Sequence, residues 1–235
     1  MLLYFLPQFS NTRSKYDTEP LAEHTASAAF FSNRRHIMST KTAPQPTIVF
    51  RKGKKVLLRP LSLEDAPLLA QWMNDEETTR WLLRDMPLSL AAEEVWIKEH
   101  ACANIPANAT DVVLGIATHD GRLIGCTGLH SIHWTHGTAT TGTVIGRKAD
   151  RGQGYATDAK MLLLAFAFLR LNLRKICSDV IAPNGASLRY AEKCGYKEEG
   201  RQLRQIYVDG EYHDLVHLGV FKEEWLPLWE EYRAG

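Results

Sequence analysis

Residues 141–156 read T-G-T-V-I-G-R-K-A-D-R-G-Q-G-Y-A, and this stretch decides how the chain is read. A short β-branched run, Thr143-Val144-Ile145, has strand character. It gives way to a tight basic loop holding Arg151, Gly152, Gln153 and Gly154, which opens into a long apolar helical pattern from Tyr155 to Leu173. A strand that breaks into glycines at a helix N-terminus is an anion trap. The first-turn N–H groups have no intrahelical partner, and the helix dipole adds about half a positive charge there. Gly152 and Gly154 allow the backbone to approach a ligand where a side chain would collide.

Several readings of that loop compete. A P-loop needs a terminal Gly-Lys-Ser/Thr, which is missing. A dinucleotide fingerprint would begin at Gly152 and Gly154, but Thr157 stands where the third glycine belongs, and no acidic residue closes a strand ~20 residues on. A plain glycine turn before a helix is also compatible with the loop alone. The remaining pattern, Q/R-x-x-G-x-G/A, is met in full by Arg151, Gly154 and Ala156. Further along, Ile176 to Ile181 reads as a buried strand stopped by Pro183-Asn184. Asn184-Gly185-Ala186-Ser187 and Lys193-Cys194-Gly195-Tyr196 follow, and then a hairpin turning at Asp209-Gly210. Together these resemble the loop and the second signature of the GNAT superfamily of N-acetyltransferases. The likeness runs from about residue 50 to residue 228 and is closest to the branch of ribosomal-protein and spermidine acetyltransferases.

Length and composition are consistent with one ordinary domain plus an extension. Net charge is +1, which argues against nucleic acid as a general partner. The four cysteines (Cys102, Cys126, Cys177, Cys194) form no C-x-x-C pair, which suits reduced thiols in the cytoplasm rather than disulfides or zinc. His130, His133 and His136 recur every third residue in a strand-like segment, so they fall on alternating faces and predict no metal site. Residues 1–46 are rich in Ser, Thr, Asn and Pro without a sustained period and predict a flexible extension; residues 47–235 then form a single domain. Met38-Ser39-Thr40 reads as an internal start, so 1–37 is expected to be a disordered leader or an over-extended reading frame. Leu2 to Leu6 is too short to cross a membrane, and no membrane partner is expected.

Strands are expected at Lys55 to Leu61, Asp111 to Ala117, Leu123 to Trp134, Thr138 to Ile145 and Ile176 to Ile181, with a final hairpin from about Arg201 to Val220. Ser62 with Asp65 resembles a capping box for a helix to Met73, and Ser89 caps another running to Ala103. The fold class is α/β: a mixed, mostly antiparallel twisted sheet with helices on both faces.

The resemblance implies acetyl-CoA as co-substrate and no metal. The strands at 138–145 and 176–182 would splay, and the pantetheine arm would fill the gap against the amides of Val144 and Ile145. Pyrophosphate would rest on Gly152, Gln153, Gly154, Tyr155 and Ala156 beside Arg151, with Asn184 and Ser187 supporting the pantetheine. The acceptor would be a small amine or a protein N-terminus, and the chain could pair as a homodimer. Two family features are missing. The general-acid tyrosine position, seven residues after the motif asparagine, is Ala191, and Thr140 takes the place of a strand glutamate. Candidate replacements are His133, Tyr190 and Ser187. The acidic polyamine positions match Leu83, Arg84 and Ser131, which disfavours a polycation, and Trp81, Trp96 and Trp134 suggest a more apolar acceptor site. Two other functions stay open: a non-catalytic acetyl-CoA-binding regulator, and a nucleotide-binding module.

Overall fold

The β-branched run of the decisive stretch lies in the middle of an eight-stranded sheet. The computed structural model describes residues 48–82, 86–100 and 109–235. The expected extension, Met38, Leu83, Arg84 and Cys102 fall outside the described residues. In chain order the elements are β1 (Arg51–Lys52), β2 (Val56–Pro60), α1 (Ala66–Met73), α2 (Glu76–Thr79), α3 (Leu90–His100), β3 (Val112–Thr118), β4 (Leu123–His133) and β5 (Thr138–Ile145). They continue with α4 (Tyr155–Ala165), β6 (Lys175–Ile181), α5 (Gly185–Lys193), β7 (Lys197–Val208), β8 (Glu211–Phe221) and α6 (Lys222–Ala234). The strands lie in the order β1-β2-β3-β4-β5-β6-β8-β7. Every neighbouring pair is antiparallel except β5 with β6, which α4 connects in parallel.

Alternation along the strands feeds two cores. On one face Leu58, Ile116, Leu129, Ile176, Val180 and Val216 pack with Leu163, Phe168 and Trp225. On the other, Val113, Cys126 and Val144 pack beneath Leu69, Trp72, Met73 and Ile97. Each large side chain removed from water contributes about 1.5–3 kcal/mol. Helix α4 is buried from Asp158 to Ala165, so it shows no polar stripe, and its last turn widens through Phe166–Arg170.

Local signals behave as their chemistry requires. Asp65 accepts from the Ser62 N–H at 2.8 Å and is held two-pronged by Arg59 at 2.7 and 2.8 Å. Ser89 Oγ accepts from Ala92 N at 3.1 Å and starts α3. Asp209 and Gly210 both have positive φ, 51° and 92°, as a type I′ hairpin turn needs. Three features differ from the sequence reading. An extra strand, β1, folds back on β2; the hairpin strand β7 begins at Lys197; and a C-terminal helix, α6, follows β8 with Pro227 inside it.

Candidate active site

The glycine loop turns left-handed twice, with φ 75° at Gly152 and 82° at Gly154. Gly154 is the N-cap of α4 and brings no side chain to it, so nothing from the cap covers the first-turn amides of Tyr155, Ala156 and Thr157. A Cβ on Gly152 would meet open space, whereas one on Gly154 would stand 3.1 Å from Lys55 Nζ. The acid in that first turn, Asp158, faces away from the mouth. Its carboxylate accepts from the N–H groups of Lys55 at 2.9 Å, Val56 at 3.0 Å and Lys54 at 3.2 Å, and from Tyr232 Oη at 2.8 Å. The β1–β2 turn is thereby tied onto α4, and Lys55 Nζ donates to Gln153 O at 2.8 Å. Gly53 is required at that turn because a Cβ there would run into Asp158 Oδ2.

The loop is clamped from its other side. Asp150, buried at its start, is gripped by Arg122 at 2.8 and 2.9 Å, and this contact lowers the carboxyl pKa. Arg151 donates to Ile145 O at 3.3 Å, Gly146 O at 2.8 Å, Thr78 Oγ1 at 2.8 Å and Glu77 Oε1 at 3.2 Å. Its guanidinium therefore stitches β5 to α2, while its charge stays beside the loop. Lys55, Arg189 and Lys193 are cations that the sequence reading did not place here. Arg189 and Lys193 line a cavity of about 330 Å³ together with Gly152, Gly154, Ala156, Ser187 and Tyr190.

A second cavity, of about 420 Å³, shares Ile145, Arg151 and Ala186 with the first and continues past Thr143, Pro183, Asn184 and Trp81. It exists because β5 and β6 pair only at Thr138↔Lys175, Ala139↔Ile176 and Thr140↔Cys177. At the point of divergence Thr141 Oγ1 donates to Cys177 O and Ser178 Oγ to Thr141 O, both at 3.3 Å. Beyond it the strands part. Gly146 N–H donates to Ile124 O on β4, so by strand alternation the amides turned toward the gap are those of Ile145 and Thr143. This corrects the sequence reading of Val144. Its carbonyl faces β4, against Gly125, and its side chain is buried beneath Trp72.

Asn184 Oδ1 accepts from Ser187 N at 3.1 Å and caps α5 beside the gap. Tyr190 also reaches the gap, in contact with the hydroxyls of Thr143 and Ser187. Burial is the larger influence on it and raises its phenol pKa well above the ordinary value, so it stays a neutral O–H donor. A helix displaces neighbouring residues by about 100°, which explains how Tyr190 faces inward while Ala191 is buried in the core behind it. His133 is not brought to this site. It pairs with Thr138 at the opposite end of β5, stacks on His136 with ring centroids 4.0 Å apart and accepts from His136 N. Of the tryptophans, Trp81 lines the gap, Trp96 packs against the α1–α3 core, and Trp134 binds Ala109 O at the far end of β4. Among the described residues no group of three or more His, Cys, Asp or Glu could hold a metal, and no helix is long and apolar enough to cross a membrane. Burial pushes the Cys126 and Cys194 thiols up to about 12, which removes them as nucleophiles.

This geometry coincides with a family match. The Acetyltransferase (GNAT) domain model matches residues 55–197, and the chain belongs to that family. It is an N-acetyltransferase that uses acetyl-CoA as co-substrate. Among relatives, it is 29% identical over 181 residues to the "Putative ribosomal N-acetyltransferase YdaF" of Bacillus subtilis, covering 74% of this chain and 94% of that one. It is 29% identical over 105 residues to a spermidine N(1)-acetyltransferase of Vibrio cholerae, covering 45% of this chain and 60% of that one. The fold overlays on the crystal structure of the Vibrio cholerae spermidine N-acetyltransferase in complex with CoA and spermine. The TM-score is 0.66 at 23% identity, over 73% of this chain and 98% of that one.

Proposed function

We propose that the gap between β5 and β6 holds the pantetheine arm, that the Gly152–Ala156 loop holds the pyrophosphate, and that the acetyl group passes to the primary amine of a protein N-terminus or a small molecule. The observation that carries this reading is the three-residue β5–β6 pairing, followed by a continuous opening to the helix mouth. In this reading the amides of Thr143 and Ile145 bond the arm, and one of them polarises the thioester carbonyl, a contact typically worth roughly 3 kcal/mol of barrier. Lys55 and the first-turn amides of α4 take the diphosphate charge. Tyr190 protonates the departing thiolate, one residue from the position the family signature indicates. The protein is expected to work in the cytoplasm.

A protein N-terminus is the first acceptor to test, because the relative named as ribosomal matches over nearly its whole length. Purified protein would be mixed with acetyl-CoA and, separately, hexapeptides starting with Ser, Thr or Ala and spermidine, and free thiol would be followed. Amine-dependent thiol release supports the reading. Tight CoA binding with no turnover across the panel would instead support a non-catalytic acetyl-CoA-binding regulator.

A further inference from the structure

Beside the point where β5 and β6 part, Asp179 and His217 form a hydrogen-bonded pair. The two residues sit opposite one another in the β6–β8 ladder, and Asp179 Oδ1 lies 2.6 Å from His217 Nδ1. Alternation fixes the face they occupy. Val180 and Val216 enter the core beneath α4, so Asp179 and His217 project from the other face. That face also carries Val144, which packs under α1, and therefore Thr140, four residues earlier on the same strand. Thr140 pairs with Cys177, the last β6 residue joined to β5. Asp179 is thus the first β6 side chain on this face beyond the closed part of the ladder. The pair therefore lies just past the point where the two strands part, on the face away from α4.

Trp81 packs edge-on against His213 with ring centroids 6.0 Å apart, and Arg80 pairs with Asp209 at 2.9 Å, which carries the end of α2 over β8. Gly200 lies opposite His217 on β7, and a Cβ there would meet nothing within 4 Å. His217 is about one-third exposed, its side chain at 36%, and with Nδ1 on the carboxylate its Nε2 has no partner among the described residues. The charges around it are mutually engaged. Glu199 on β7 binds Lys175 of β6 at 2.7 Å, and Arg201 binds Glu198 at 2.7 Å and approaches Asp214 at 3.9 Å.

We propose that His217, oriented by Asp179, receives the proton of the acceptor ammonium from this face, directly or through one water. An imidazole suits the task because it exchanges protons near neutral pH, whereas an alkyl ammonium must lose one before it can attack. The assignment rests on the acyl-transfer reading above. His217 Nε2 takes one proton from the ammonium and passes it to solvent. The free amine then forms the N–C bond, the C–S bond breaks, and the nitrogen's second proton leaves by the same imidazole. Tyr190 gives its proton to the thiolate and is reprotonated from solvent, so one proton is released per turnover.

The test uses H217Q and D179N in the full chain, with CoA affinity measured by calorimetry and turnover by thiol release on the peptide and spermidine panel. H217Q is expected to lower kcat by about a hundredfold or more with CoA affinity unchanged. The acid limb of its kcat/KM profile should flatten by one proton. D179N should lower kcat by about tenfold or more, because the imidazole loses its orienting carboxylate. H217N supplies the same readouts if H217Q does not fold. Activity within threefold of the parent, with an unchanged pH profile, overturns the assignment. A parent protein that binds CoA but acetylates nothing in the panel overturns it together with the transfer reading, while a parent that fails to bind CoA identifies the gap assignment as the fault.

Discussion

Replacing Lys160 with methionine should stabilise the fold, and the gain should shrink as pH rises. Lys160 lies in the middle of α4, 1% exposed, and its Nζ has no hydrogen-bond partner among the described residues. The rings of Tyr190 and Tyr196, each 5.9 Å away, and the neighbouring Cys194 offer it a little compensation. Burial brings its pKa from 10.5 down to about 7. Between those values the unfolded chain binds a proton that the folded chain does not, so unfolding becomes harder as pH increases. Each full pH unit in that window adds about 1.4 kcal/mol. Going from pH 7, where the folded group is half titrated, to pH 9 should therefore add about 2 kcal/mol to the parent relative to K160M. The difference between the two proteins cancels every other titrating group they share. Urea unfolding at several pH values from 7 to 9.5 would measure it. A difference that stays flat across the range would show that the amine is solvated or paired in the folded state and is not held neutral by burial.

Other perturbations address the site directly. G154D puts a carboxylate where a Cβ already approaches Lys55 Nζ, and it should weaken CoA binding by about tenfold or more; calorimetry on a folded variant would show it. K55M should weaken CoA binding severalfold and make it less sensitive to salt, since one partly screened cation is lost. Y190F should lower kcat by about a hundredfold at unchanged CoA affinity if the phenol supplies the thiolate's proton, and stopped-flow thiol release would test that. D158N should destabilise the fold by about 2–3 kcal/mol, because three amides and Tyr232 lose a charged acceptor; urea unfolding at pH 7 would report it.

Legibility in the sequence followed the range of the cause. The β5–loop–α4 unit, the capping residues and the Asp209-Gly210 turn are set by neighbours a few positions apart, and each could be read from those neighbours alone. Asp158 could not. In sequence it is an ordinary acid in the first turn of a helix, yet its carboxylate is taken by amides more than a hundred residues away in the chain. That long-range contact also delivers Lys55 to the loop, so a cation beside the glycines was hidden for the same reason. Val144 shows a subtler limit. The strand was identified correctly, but which of two adjacent amides faces the gap depends on the ladder with β4, and that phase is fixed only when Gly146 N–H finds Ile124 O. Asp179 and His217 are separated by an entire helix and hairpin, and they meet only because β8 inserts between β6 and β7. In this molecule the glycine loop is built from local turns, whereas the Asp179–His217 pair is built by strand order. Sequence reading therefore reached the glycine loop and its helix, whereas its histidine candidate, His133, ends β4 and pairs with Thr138 at the closed end of the β5–β6 ladder.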